Sequence, residues 1–128
     1  SAKTPENMTQ EDLRALIEES FAYLSREPRS ELHAQFEKAL SDPANSPHRE
    51  AMVNEFVEVA RKVQYTHSQL NRLPSDDKRL LAERFAANSR NLPPDQQQAL
   101  RDRLMKRLLP MPTDLNDMVL AALPPLSQ

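Results

Sequence analysis

Residues 46–72 read SPHREAMVNEFVEVARKVQYTHSQLNR, and proline occurs there only at the second position. Ser46 followed by Pro47 is a helix start: serine suits the N-cap, and proline's fixed φ suits the first helical position. Nothing interrupts the pattern from there to Arg72. Met52, Phe56, Val59, Val63, Thr66 and Leu70 alternate in steps of four and three, and Val53, Val57 and Ala60 widen that heptad seam in its first half. So wide a seam predicts a long central core helix packed by more than one neighbour, in preference to a dimeric coiled coil.

Upstream, Thr9 precedes Glu11 and Asp12, a plausible N-cap with acids placed to meet the positive end of the helix dipole. Leu13, Leu16, Ile17, Phe21 and Leu24 then form one apolar stripe, which predicts a first helix ended by Pro28. A shorter helix carries Leu32, Phe36 and Leu40 at four-residue steps, and residues 41–45 break it.

Downstream the chain repeats itself. Leu73-Pro74-Ser75-Asp76, Leu92-Pro93-Pro94-Asp95 and Met111-Pro112-Thr113-Asp114 share an apolar-Pro-x-Asp start at intervals of 19 residues. Leu81, Leu100 and Val119 hold matching positions, as do Phe85, Leu104 and Leu123. Each unit predicts a turn and a helix of about three turns. The fold class is therefore all-α: a bundle of five or six helices around one long central helix, its last third built from short proline-started helices. The expected domain spans 1–128 as one unit, with 1–8 and 124–128 loose.

Composition narrows the chemistry. The mean hydropathy of −0.73 is polar for a globular chain, but the helical spacing of the apolar residues argues for a folded one. With no glycine, a phosphate-cradling loop or a nucleophile elbow lacks the residue that supplies positive φ. With no cysteine, disulfides, thiolate metal sites and cysteine nucleophiles are excluded. No apolar run approaches the ~20 residues of a membrane span, and no signal peptide is visible.

Charge is divided along the chain. Residues 1–60 carry 12 acids and 6 bases, whereas 61–109 carry 5 acids and 11 bases. Helix faces paired within a bundle explain most such divisions; the sharper reading is a basic surface for an acidic partner, with Arg79, Arg84, Arg101, Arg103 and Arg107 as candidate contacts. Nucleic acid ranks behind protein as that partner. The pI is 5.9, aromatics make up 5% of residues, and few, Phe85 among them, interleave with the basic run. His33 and Glu37, four apart, are a remote metal-binding alternative that lacks a marked third ligand. Adjacent acids such as Glu18-Glu19 and Asp76-Asp77 diverge on a helix, so no facing carboxylate pair is indicated. The expectation is a non-catalytic helical interaction or assembly module with no cofactor, whose partner is another protein.

Two resemblances add to this. Leu-Pro-Pro-Asp-Gln-Gln-Gln-Ala-Leu-Arg at 92–101 resembles the reiterated Leu-Ser/Pro-Pro-Glu-Gln-Arg helix starts of an uncharacterised family of exported proteobacterial proteins, over about residues 73–109. That resemblance implies a bacterial, periplasmic helical protein and no activity. Phe21-Ala22-Tyr23-Leu24-Ser25 is similar to the Phe-Asp-Tyr-x-Leu-Ser core of bacterial lipase foldases, with Ala22 in the place of the acid and one residue fewer before Leu24. It implies a chaperone-like role and adds Phe21 and Tyr23 to the candidate partner-binding residues. Export is favoured over the cytoplasm on these resemblances.

Overall fold

The computed structural model describes Thr4 and residues 7–126, and among them it contains six α-helices and no strand. The helices are α1 (Gln10–Ser20), α2 (Arg26–Ser41), α3 (Arg49–Arg72), α4 (Ser75–Asn88), α5 (Pro94–Met105) and α6 (Thr113–Ala122). The all-α expectation, the long central helix and the short proline-started helices are all present. The residues gather into two compact units, 1–65 and 66–128, and the division falls inside α3.

In the first unit, Thr9 caps α1 reciprocally. Its hydroxyl accepts from Asp12 N at 3.1 Å, while its own N–H donates to the Asp12 carboxylate at 2.8 Å. Leu13 and Ile17 are buried one turn apart. The helix then stops at Ser20, short of the expected end at Pro28. Phe21 N donates to Ile17 O and Leu24 N to Phe21 O, so the stripe's last two members reach the core from a turn. Pro28 is the third residue of α2, where its missing N–H would have had no intrahelical acceptor.

The expected cap at Ser46 is also displaced. Asp42 accepts from Ala44 N at 3.0 Å and opens a 3₁₀ turn, Pro43–His48, which contains Pro47 and runs into α3. On α3 the most deeply buried residues are Val53, Val57 and Ala60, the supposed widening, whereas Val59 of the heptad seam is 46% exposed. At about 100° per residue Val59 lies across the helix from Val57, so the core stripe is offset from the seam. Val53 and Val57 cluster with Leu13, and Met8, Leu16, Phe36 and Leu40 pack around them. Beside them Phe56 stacks on Phe36 with centroids 4.2 Å apart, and on Phe21 at 6.2 Å.

The second unit is built on the repeat. Pro74, Pro93 and Pro112 are the N-caps of α4, α5 and α6, with φ of −60°, −58° and −62° and ψ of 156°, 153° and 154°. Their carbonyls accept from the N–H groups of Lys78, Gln97 and Asn116 at 3.0, 2.9 and 2.9 Å. Those same three residues, also 19 apart, have buried side chains. Lys78 Nζ reaches Asp114 at 2.9 Å, Gln97 Nε2 donates to Leu92 O at 2.7 Å, and Asn116 Nδ2 donates to Leu104 O at 2.9 Å.

Ala82, Leu100, Leu104, Leu115 and Val119 form the core of this unit, and Leu70 from the end of α3 packs against it. Each buried leucine or valine contributes about 1.5–3 kcal/mol. The matched apolar positions diverge at α4. Leu100, Leu104 and Val119 are buried, but Leu81 and Phe85 are exposed. Ala82 and Ala86 occupy the core face there, and α4 lies against α6 more extensively than any other two elements pack. Met8 packs on the first core, and Pro124 O accepts from Arg101 Nη2 at 3.0 Å. Of the segments 1–8 and 124–128 that the sequence expects to be loose, the other residues apart from Thr4, Asn7, Pro125 and Leu126 lie outside the described residues.

Candidate functional site

Alanines bring two helices close and leave space beside them. Ala82 on α4 and Ala121 and Ala122 on α6 present no bulk, and an open groove of about 360 Å³ runs along them. Arg79 and Glu83 form its α4 wall, and Asp117 and Met118 its α6 wall. Asp117 is held from outside the groove by Arg107, whose Nη2 lies 3.1 Å from Oδ1.

Arg107 stands where a glycine is usual. Its φ of 56° is the only positive value among the described residues. Leu108 N donates to Arg103 O at 2.9 Å and Arg107 N to Leu104 O at 3.1 Å, the two bonds of a Schellman motif closing α5. In a chain without glycine, an arginine takes the left-handed position and directs its charge to the groove's rim.

The expected basic surface is dispersed. Arg79 lines the groove, Arg107 is paired with Asp117, and Arg101 anchors Pro124. Arg84 and Arg103 are exposed and make no ion pair among the described residues. Arg79 and Arg84 point about 140° apart on α4. Phe21 is buried, its ring 6.2 Å from that of Tyr23, so it serves the first core and offers no surface. Burial raises the Tyr23 phenol above its ordinary value.

His33 and Glu37 do not converge on a shared ligand. His33 Nε2 lies 3.5 Å from Glu18, which Arg29 also holds at 2.7 Å, and Glu37 pairs with Arg14. Both residues tie α2 to α1, and among the described residues no group of three or more His, Asp or Glu is placed to hold a metal. Elsewhere Asp114 is a strongly held carboxylate. The hydrogen bond from Lys78 lowers its pKa below the ordinary carboxylate value, helped by the bond from Leu115 N.

The groove residues Glu83, Asp117 and Met118 were not legible as a set. Their only signal was the small-residue pattern of Ala82, Ala121 and Ala122, which any helix also tolerates. No helix among the described residues is long and apolar enough to cross a membrane. Comparison with protein-family models, curated proteins and solved structures finds no match, which leaves these side chains as the ground for a function.

Proposed function

We propose that the chain is a non-catalytic helical interaction module that receives a segment of another protein along α4. One observation carries this reading. The first repeat helix turns outward positions that its two siblings cover: Leu81 and Phe85 are exposed together with Leu80, whereas Leu100, Leu104 and Val119 are core and Leu123 is half-buried against it. Large apolar side chains grouped on one exposed helix mark an interaction surface more often than chance scatter does. The groove against α6 supplies adjacent relief, with Arg79 on one wall and Asp117 on the other to orient a polar segment. The resemblance to exported bacterial helical proteins supports an accessory role outside the cytoplasm.

The test is affinity capture from extracts of the native host, with wild-type protein beside Leu81→Glu and Met118→Lys. A stoichiometric, salt-tolerant protein retained by wild type and lost with either variant supports the reading. Identical captures by all three remove the surface from consideration. If only nucleic acid is held, and is released by modest salt or by Arg84→Glu and Arg103→Glu, the basic segment becomes the working surface.

A further inference from the structure

The heptad seam of α3 is only half used. The first core takes its neighbouring stripe, Val53, Val57 and Ala60, so Met52, Phe56 and Val63 are half-buried and Val59 is 46% exposed. The adjoining helix closes over them only in part, at Phe56, whose ring stacks on Phe36. None of the 16 residues of α2 is buried, and its apolar line, Leu32, Phe36 and Leu40, is likewise half-covered. All of these residues belong to the first unit. The result is a partly covered apolar strip, open at Val59, with the 3.5-residue period that fits another helix.

We propose that a second copy of this chain covers the strip, with the two α3 helices antiparallel. The flanking charges select both the occupant and its direction. Glu55 and Lys62 border the seam on its solvent side one heptad apart, and neither makes an ion pair among the described residues. Setting Met52 opposite Val63 of the second copy, and Phe56 opposite Val59, brings each Glu55 beside Lys62 of the other chain. The two-fold symmetry of a homodimer then makes the pair twice. A parallel arrangement instead sets Glu55 against the position of Ala60, which carries no charge and is already buried in its own core. The self-complementary acid and base therefore favour an antiparallel copy over a parallel one. This surface is separate from the α4 groove, so it stands or falls independently of the proposed partner.

Sedimentation velocity on the full chain at increasing concentration tests it. The expected mass rises from 14.7 kDa toward twice that value. Val59→Glu, at a side chain open enough to leave the fold intact by circular dichroism, should hold the protein monomeric. Glu55→Lys and Lys62→Glu should each weaken self-association about tenfold or more, since each turns two attractions into repulsions. Mixing the two variants, or combining both changes in one chain, should restore the dimer. A monomer at every concentration overturns the proposal. So does a dimer indifferent to Val59→Glu, or charge variants that mixing fails to rescue.

Discussion

Arg107 offers a measurement in which backbone and side chain pull apart. A non-glycine residue in the left-handed region costs roughly 1–2 kcal/mol, and Arg107 occupies it at φ 56°. Arg107→Gly removes that cost but gives the unfolded chain more freedom, worth about 0.4–1 kcal/mol in the other direction. It also removes the pair with Asp117, which joins two exposed side chains and is worth about 0.2–1 kcal/mol. The glycine variant should therefore lie within about 1 kcal/mol of wild type. Arg107→Ala loses the same pair but keeps the strain, so it should fall below Arg107→Gly by about 0.5–1 kcal/mol. Arg107→Pro cannot reach positive φ and loses the N–H that donates to Leu104 O, and should cost about 3 kcal/mol or more. Urea unfolding followed at 222 nm would rank the three, and about 4 °C in Tm corresponds to each kcal/mol for a chain of this size. Glycine ranking below alanine would refute the left-handed cap, because that is the order of an ordinary helix interior.

Five further variants probe the packing and the caps. Because Asp114 has a depressed pKa in the folded state, its contribution is complete above the unfolded carboxylate value of about 4 and is lost as pH falls through the lower folded value; Asp114→Asn should therefore flatten the acid limb of a stability-pH curve. At neutral pH, Asp114→Ala should cost about 1–3 kcal/mol by leaving the buried Lys78 ammonium unpaired, while Lys78→Met should be close to neutral in the same denaturation assay. Leu104→Ala, at a fully buried site, should cost about 2–5 kcal/mol, and Thr9→Ala about 1 kcal/mol, read as faster amide exchange in the first turn of α1.

Much of the fold was open to reading because it rests on local rules. Thr9 before two acids is a cap, Leu13 and Ile17 lie one turn apart, and three prolines spaced by 19 residues start three helices. The misreadings come from two sources. Pro28 and Pro47 were read as a stop and a start, but a proline in a first turn or a 3₁₀ segment fits inside a helical run, and only the neighbouring backbone decides. The seam on α3 predicts core, and the repeat sets Leu81 and Phe85 in register with buried positions, because apolar periodicity locates a face without saying what covers it. Val59, Leu81 and Phe85 satisfy the period as well as Val57 or Leu104 do, yet they are exposed. The candidate arginines are spread out for a related reason. Their clustering in sequence holds no information about helical phase, and phase sends Arg79 and Arg84 to different faces.

The repeat makes the same point from its polar side. What the three proline-started helices hold in common is a proline carbonyl bonded to the fourth helical residue and a buried polar side chain on that residue: Lys78 at 7%, Gln97 at 8% and Asn116 at 2% exposure. A side chain there leans back toward the helix N-terminus, where it meets acceptors near the preceding turn. Gln97 uses the reach to hold the turn that starts its own helix; Lys78 ties α4 to the start of α6, and Asn116 ties α6 to the end of α5. Asn116 Oδ1 accepts no hydrogen bond among the described residues. Three polar anchors thus fix the order of the helices without calling on every apolar position. That division of labour is what lets α4 bury alanines against α6 and leave Leu81 and Phe85 facing outward.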